Sequence, residues 1–224
     1  MKHAMIPDTQ IFPGSKLTHL PAAAKYLRKH KPEKIVIIGD WWDMPSLSSY
    51  DKPGDKGWET KDVQADLDAG WDAMTSFLKG LRSPKYDPEI HYLMGNHEQR
   101  IVRASHSAGM RMLNNYLSVD ELILSPLRDL EVATHDFLEI VELDGICYSH
   151  YFVNPSSLMS NAIGGAIESK LKNLGHSFTM GHQQQKQTGE IYTCTGQRRR
   201  GLVCGRFYQD YHEYLGKQKN AQSW

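Results

Sequence analysis

The stretch KIVIIGDWWD, residues 34–43, decides the fold. Its β-branched run from Ile35 to Ile38 is typical of a strand that is buried on both faces, as in a parallel sheet covered by helices. Gly39 closes the run, and Asp40 and Asp43 follow directly. Because ligands bind beyond the carboxyl ends of strands in open α/β sheets, this stretch also predicts where a site lies.

The remaining hydrophobic pattern predicts an α/β protein with two sheets inside and helices outside. Helices are expected at 17–30 (with Ser15 as the N-cap), 60–81 and 161–174 (ending at Gly175), and the other strands at 3–7, 90–94, 137–143, 146–150, 178–180, 190–195 and 201–207. Asp144-Gly145 is a strong hairpin signal between two of these strands. Residues 44–58 are expected to form a long loop, and residues 105–135 show no clear pattern.

Composition bounds the classes of protein that the chain can belong to. The 224 residues carry 26 Lys+Arg and 26 Asp+Glu, which suits one domain over 1–224 and excludes a whole-molecule field that captures nucleic acid. Three cysteines (Cys147, Cys194 and Cys204) are too few for a disulfide framework and favour a reducing compartment. There is neither an apolar signal region nor a membrane-length apolar run, so we expect a cytoplasmic protein with no membrane partner.

Five groups of polar residues follow predicted strands. They are Asp8-Thr9-Gln10, Asp40-Trp41-Trp42-Asp43, Asn96-His97-Glu98, His150 and His182-Gln183-Gln184. Asp, Asn and His are ligands of divalent metals, so five such loops meeting at one sheet edge could hold two ions. A two-metal site needs a bridging carboxylate, and Asp40 is the natural candidate.

In this order the groups resemble the motifs of the calcineurin-like metallophosphoesterases, which are DxH, GDxxD, GNHE, a lone His and GHxH. GDxxD at 39–43 and GNHE at 95–98 match fully, and the resemblance spans 8–184. The loops are most similar to those of small phosphoesterases common in phage and prophage genomes, where the cytoplasm would be that of the host cell. The resemblance implies a four-layer α-β-β-α sandwich of two mixed sheets flanked by helices.

The resemblance also implies a binuclear metal centre. One ion would be held by Asp8, Gln10, Asp40 and Gln184, and the other by Asp40, Asn96, His150 and His182, with Asp40 bridging. His97 is implied as the catalytic residue that faces the scissile bond, and Asp43 as the residue that orients it.

Two residues depart from the family's pattern, and both belong to the first ion. Gln10 stands at the His of DxH and Gln184 at the last His of GHxH. A carboxamide oxygen is a harder and weaker ligand than an imidazole nitrogen. We therefore expect the first site to prefer Mn²⁺ or Mg²⁺ and to release it easily, and the second to hold Mn²⁺, Fe²⁺ or Zn²⁺ more firmly. Overall, two divalent ions are expected, with Mn²⁺ favoured and Ni²⁺ also compatible.

The expected function is two-metal-dependent hydrolysis of phosphate esters, in which a metal-bridging hydroxide attacks phosphorus. Protonated His97, held by Asp43, would give a proton to the leaving alkoxide. A phosphodiesterase is favoured, with a nuclease or a nucleotide phosphodiesterase as its specific versions, so the partner would be a nucleotide, a nucleic acid or another phosphate ester. The alternatives are a phosphomonoesterase such as a protein phosphatase, and a non-catalytic binding protein with a degraded first metal site.

Two arginine features carry alternative interpretations. Arg198–Arg200 is predicted on the turn between two late strands, either as a solvated hairpin tip or as a phosphate clamp. Arg100 follows the GNHE motif and would either face the substrate or lie on a helix surface.

The aromatic residues also carry two interpretations. Trp41, Trp42, Tyr50 and Trp58 would either form a wall that stacks a base or pack in the core. The preference for a diesterase depends partly on this roomy aromatic loop. The late aromatic residues within 207–224 are expected to anchor the C-terminal tail.

Overall fold

A computed structural model describes residues 1–49, 61–107, 116–155, 161–209 and Lys217. Over these residues the chain is an α/β protein with two sheets and five helices. The helices are α1 (His19–His30), α2 (Val63–Leu81), α3 (Gln99–His106), α4 (Ser125–Asp129) and α5 (Ile167–Leu174). Among the described helices, none combines the length and apolar character needed to cross a bilayer.

The first sheet has four strands in the order β1-β2-β3-β4. They are β1 (His3–Ile6), β2 (Lys34–Ile37), β3 (Glu89–Leu93) and β4 (Ala133–His135). All three observed pairings are parallel, so the expectation of a mixed sheet is wrong here. Helical segments connect each strand to the next, and such crossovers return the chain in the same direction.

The second sheet has five strands in the order β5-β6-β7-β9-β8 and is mixed, as predicted. They are β5 (Val141–Leu143), β6 (Ile146–Ser149), β7 (Phe178–Met180), β8 (Lys186–Tyr192) and β9 (Arg198–Cys204). The β5–β6 and β8–β9 pairs are antiparallel, whereas β7 runs parallel to both β6 and β9. Asp144 and Gly145 both have positive φ, which confirms the predicted hairpin turn.

Three hydrophobic cores hold these elements together. Ile35 and Ile37 of β2 pack in a core with α1 and α2. Val36 and Ile38 belong to a separate core with Tyr148 of β6, between the two sheets. A third core joins α5 to β7 and β9. Since alternate residues of β2 enter different cores, the prediction of a strand buried on both faces is confirmed.

All three predicted helices begin later than the sequence predicts, and α2 begins at Val63 with Asp62 as its N-cap. Helix α1 has Thr18 at its N-cap, and the hydroxyl of Ser15 instead accepts a hydrogen bond from Phe12 N at 2.9 Å. Helix α5 begins later than predicted because Gly165 has a φ of 84°, which a right-handed helix does not allow. Its predicted end is confirmed, since Gly175 at φ 66° donates its N–H to the carbonyl of Leu171.

The region that showed no pattern in the sequence contributes to the first sheet and its core. A π-helical turn at Asp120–Leu124 leads into α4, and β4 then pairs with β3. Ile123 and Leu127 are fully buried. Residues 108–115 of this region lie outside the described part of the chain.

Candidate metal centre

The carboxyl ends of the strands bring the five polar groups to one edge. Asp8 follows β1, Asp40 follows β2, Asn96 follows β3, His150 follows β6 and His182 follows β7. Backbone contacts tie these segments together across long sequence separations. His97 N donates to Asp40 Oδ1 at 2.9 Å, and His182 N donates to Asp8 Oδ1 at 3.0 Å. The predicted convergence of these segments is therefore present.

Asn96, His150 and His182, which we call the histidine half, form a contact network around one oxygen. His150 Nε2 and His182 Nδ1 lie 2.9 Å and 2.7 Å from Asn96 Oδ1. His150 Nε2 is also 3.4 Å from Asp40 Oδ1. One ligand atom each from Asp40, His150 and His182 all lie within 4.8 Å of one another. A cation could bind here with small side-chain movements.

His150 is oriented as metal-ligating histidines are. Its Nδ1 lies 2.7 Å from the carbonyl oxygen of Ile38, and this hydrogen bond directs Nε2 towards Asp40 and Asn96. A second hydrogen bond of this kind fixes the ring and its tautomer in metal sites.

In the histidine half, a proton on His150 offsets the negative charge of Asp40. Burial alone would lower the pKa of His150, but Asp40 and Asp8 raise it to about 9. Burial alone would raise the pKa of Asp40, but His150 and His97 hold it well below its usual value. Burial and the charge of His150 lower the pKa of His182 to about 4, so this ring is neutral. A dication could take over the role of the His150 proton, because metal ligands must be deprotonated.

Asp8, Gln10 and Gln184, which we call the glutamine half, are arranged less completely. Asp8 Oδ2 is buried and has no hydrogen-bond partner within the described residues. Burial and the charge of Asp40 raise the pKa of Asp8 to about 7. Gln184 Oε1 accepts a hydrogen bond from the hydroxyl of Tyr208 at 2.9 Å, and Gln10 N donates to Asp40 O at 2.8 Å. An orphaned buried carboxylate oxygen suits a cation with oxygen ligands.

Backbone strain is concentrated in these loops. Gln10, Asp40, His182 and Gln184 all have φ between 45° and 65°, a left-handed conformation that costs non-glycine residues about 1–3 kcal/mol each. Such conformations persist where the surrounding structure enforces them, and they cluster at active sites and ligand clamps.

Two glycines allow the backbone to approach the carboxylates closely. A Cβ atom on Gly95 would lie 2.2 Å from Asp40 Oδ1, and one on Gly181 would lie 2.4 Å from Asp8 Oδ1. Any side chain at either position would displace the carboxylate. This explains the glycine that precedes Asn96 and the glycine that precedes His182.

His97 lies beside the centre and contacts Asp43. Its Nδ1 is 2.7 Å from Asp43 Oδ1, and its Nε2 is 3.7 Å from Asp40 Oδ2. Burial alone would lower the pKa of His97, but Asp40 and Asp43 raise it above its usual value, while Arg100 opposes this effect. The contact on which the predicted catalytic role depends is present, and the role itself stays a prediction.

Arg100 reaches into the site from α3 and does not lie on a solvated helix surface. Its Nη1 donates to the carbonyl of Asp43 at 2.7 Å, and its Nη2 lies 3.1 Å from His97 Nε2. The guanidinium therefore fixes the loop that carries Asp43.

Glu98 is a site-building residue whose role the sequence reasoning missed. Its buried carboxylate accepts hydrogen bonds from the backbone N–H groups of Asp40, Trp42 and Gly95, at 3.1, 3.0 and 2.8 Å. It thereby fixes the loops after β2 and β3 to each other. The signal that could have found it is its position as the last residue of the GNHE motif.

A cavity of about 690 Å³ adjoins the centre at Asn96, and we call it the basic groove. Its described lining includes three cations and no carboxylate; the polar residues are Ser46, Ser48, Ser49, Lys61, Asn96, Arg100, Arg103 and Ser107. Arg103 Nη2 donates to the carbonyl of Asn96 at 3.2 Å, which links the groove to the histidine half. The groove suits an anionic ligand.

Of the two interpretations of the aromatic residues, packing in the core is confirmed for Trp41 and Trp42, and the stacking wall is excluded for them. Trp41 and Trp42 are fully buried, and their indole N–H groups donate to the carbonyls of Gly70 and Leu67 in α2. Their large apolar rings fill the core under α2, which offers a partner to each N–H. Tyr50 and Trp58 lie outside the described residues.

Arg198–Arg200 does not lie on a turn. These residues begin β9, and the register pairs Phe178, at the start of β7, with Gly201 of β9. The arginines therefore lie at the end of the sheet opposite to the candidate centre, and Arg200 contacts Glu190 at 3.4 Å. A phosphate clamp at the metal centre is excluded by this register.

No protein-family model, curated protein or solved structure matches the chain. The resemblance to calcineurin-like metallophosphoesterases therefore stays a prediction from the motifs.

Proposed function

We propose that the protein is a metal-dependent phosphoesterase of the calcineurin-like type, with phosphodiesters as the favoured substrates. One observation carries the proposal: ligand atoms of Asp40, His150 and His182, from three separate strand ends, lie within 4.8 Å of one another. The pair of His97 and Asp43 and the basic groove adjoin this point.

The donor set suits two divalent cations, with Mn²⁺ favoured. Asp40, Asn96, His150 and His182 would hold one, and Asp8, Gln10, Asp40 and Gln184 the other. When bound, such ions lower the pKa of water and neutralise charge on a phosphoryl group. The orphaned Asp8 Oδ2 and the two imidazoles that face Asn96 are the features that support this assignment.

The chain's own residues would bind the ester and move one proton. Arg100 and Arg103 supply positive charge along the groove for the phosphate and its substituent. Asp43 orients the ring of His97 through Nδ1. Arg100 Nη2, which can only donate, lies 3.1 Å from His97 Nε2, so His97 would give a proton from Nε2 to the leaving oxygen once the phosphate draws Arg100 away. Proton donation of this kind is typically worth about 10²–10⁴-fold in rate.

The basic groove supports the preference for a diester over a monoester. A phosphodiester carries a second substituent that needs room, and the groove offers that room next to Asn96. Trp41 and Trp42 do not support this preference, because their indoles are buried and cannot stack on a substrate.

We further propose that the two sheets and the helices form a four-layer α-β-β-α sandwich. The support comes from the three cores, which lie between the first sheet and α1/α2, between the two sheets, and between the second sheet and α5.

The test compares ester hydrolysis by the wild type, His97→Ala and the control His30→Ala, an exposed histidine at the end of α1. With Mn²⁺, we expect hydrolysis of a bis-aryl phosphate to exceed that of a mono-aryl phosphate. His97→Ala should lose about 10²–10⁴-fold with an alkoxide leaving group and much less with a nitrophenolate. His30→Ala should match the wild type.

Each contrary result has a distinct meaning. Equal losses for both leaving groups would remove the acid role of His97, and a preference for the monoester would favour a phosphomonoesterase. Saturation with a single ion and no turnover on any ester would show a binding protein. The last outcome would refute the enzymatic proposal.

A further inference from the structure

A second group of side chains that could bind a metal lies on β5, on β6 and in the segment before β7 of the second sheet. Glu142, Cys147 and His176 each offer one ligand atom, and these atoms all lie within 4.8 Å of one another. Cys147 Sγ is 3.4 Å from His176 Nδ1. We call these three residues the thiol cluster.

Strand pairing brings the thiol cluster together. Glu142 and Cys147 are direct partners in the antiparallel β5–β6 hairpin, so their side chains share one face. Cys147 N donates to the carbonyl of Ser177 at 2.9 Å, which holds the segment before β7 against β6. His176 immediately precedes that contact. Two of the three ligands are thus fixed by backbone register.

We propose that the thiol cluster binds one zinc ion through Glu142, Cys147 and His176, with water as the fourth ligand. A thiolate, an imidazole and a carboxylate are the donor types that Zn²⁺ takes in proteins. With Zn–S near 2.3 Å and Zn–N near 2.0 Å, a tetrahedral site separates sulfur and nitrogen by about 3.5 Å. The 3.4 Å between Cys147 Sγ and His176 Nδ1 agrees with this spacing.

The thiol cluster is separate from the candidate centre. Tyr148 of β6 packs between the two sheets, whereas Cys147, the neighbouring residue, packs on the opposite face with the α5 core. Glu142 is exposed and His176 is partly exposed, so a cation can reach the cluster from solvent. No residue of the candidate centre takes part.

The electrostatics favour a cation at this point. Burial and the charge of Glu142 raise the pKa of Cys147, so the thiol keeps its proton when no cation is present. A dication would offset the charges of the carboxylate and the thiolate together, and zinc binding would release the thiol proton. The bound ion would tie the β5–β6 hairpin to the connection between α5 and β7, and it would stabilise the folded state by mass action.

The test uses Co²⁺ alone as a spectroscopic substitute for zinc, because cobalt bound to a thiolate gives a near-ultraviolet charge-transfer band. The measurement is made in full-length Asp40→Asn protein, which weakens cobalt binding at the candidate centre. We expect the band to appear, to disappear on addition of one equivalent of Zn²⁺, and to be lost in Cys147→Ser. Glu142→Gln and His176→Asn should keep the fold, checked by circular dichroism, and weaken binding by about 10-fold or more.

Cys194→Ser is the matched control, because Cys194 is an exposed thiol on the β8–β9 turn, and it should keep the full band. Absence of the band in folded protein, or its persistence in Cys147→Ser, would overturn the proposal. The readout depends on a thiolate and not on ester hydrolysis. Absence of the cobalt band would therefore not affect the phosphoesterase proposal. Protein that shows the band but hydrolyses no ester would still support the zinc proposal.

Discussion

The histidine half and the glutamine half of the candidate centre, which Asp40 is proposed to bridge, differ in how completely they are assembled. In the histidine half, two imidazole nitrogens converge on Asn96 Oδ1 at 2.9 and 2.7 Å. In the glutamine half, Asp8 Oδ2 has no partner within the described residues, and Gln184 Oε1 accepts a hydrogen bond from Tyr208. A preassembled site loses less freedom when the ion binds. The difference therefore predicts one tight site and one weak site.

The donor atoms, like the degree of assembly, favour tighter metal binding in the histidine half. Imidazole nitrogens hold later first-row cations such as Zn²⁺ more firmly than amide oxygens do, whereas carboxylate and carbonyl oxygens suit Mg²⁺ and Mn²⁺. The two halves should therefore differ both in affinity and in preferred metal. The predictions below test this contrast, beginning with the residue that both halves share.

Asp40→Asn should have the largest effect, because both halves lose their common carboxylate. We expect Mn²⁺ stoichiometry to fall below one ion per chain, and phosphoesterase activity to fall by about 10³-fold or more, since metal ions contribute several kcal/mol. Titration calorimetry and metal analysis measure the stoichiometry. Asp43→Asn is the matched control, because it changes the contact to His97 and should keep both ions. Two bound ions in Asp40→Asn would contradict the bridging assignment.

His182→Gln should reduce the contrast between the halves by giving the histidine half a carboxamide. The tight site should weaken by at least about 10–100-fold, while the weak site changes little. Competition with a metal-sensitive dye resolves the two dissociation constants. His30→Gln is the control, because His30 is an exposed histidine at the end of α1 and belongs to neither proposed metal site. If the weak site were the one to weaken, the assignment of His182 would be wrong.

Gln184→His should bring the metal affinity of the glutamine half closer to that of the histidine half. An imidazole in the glutamine half should tighten the weak site by roughly tenfold, about 1.4 kcal/mol, and shift its preference towards Zn²⁺. Gln183→His, at the next position, is the control, because the Gln183 side chain donates to the carbonyl of Ile163. Equal effects of the two substitutions would show that position 184 holds no ligand.

The ligands of the centre could be predicted from sequence because each follows a strand end, and the carboxyl ends of parallel strands meet at one edge. Asp40 and Asn96 follow neighbouring strands of one parallel sheet. His150 and His182 follow neighbouring strands of the other. The pattern therefore predicts which candidate ligands meet within each sheet, whereas the meeting of the two sheets' edges was implied only by the resemblance and depends on how one sheet packs on the other.

Other features depend on pairings that a local pattern does not contain. The sequence left Trp41 and Trp42 open between a ligand surface and the core, and the packing of α2 over both rings decides for the core. The thiol cluster needs the parallel pairing of β6 with β7 as well as the hairpin of β5 and β6, and only the hairpin could be predicted. The hydrophobic pattern predicts that the last strand begins at residue 201, which places Arg198–Arg200 on the preceding turn. In the structure, β9 already begins at Arg198.

Tyr208 was expected only to anchor the C-terminal tail, yet its hydroxyl reaches Gln184 at 2.9 Å, and Arg206 lies over its ring at 4.7 Å. Tyr208→Phe should have the smallest effect of the series. It removes the hydrogen bond to Gln184 and a longer one from Arg206 Nη1 at 3.4 Å, each worth about 0.5–1.5 kcal/mol net at most, and it releases Gln184 Oε1 for a cation. We therefore expect slightly lower thermal stability without metal and a weak site that binds Mn²⁺ a few-fold more tightly.

The two readouts should move in opposite directions, and this separates Tyr208 from a residue that only supports the fold. Differential scanning fluorimetry with and without Mn²⁺ measures both, and Tyr192→Phe, on the exposed edge of β8, is the control. If Tyr208→Phe weakened Mn²⁺ binding, the hydroxyl would be orienting Gln184 as a ligand rather than competing with the ion. The glutamine half would then already be assembled, and its lower affinity would come from its oxygen donors alone.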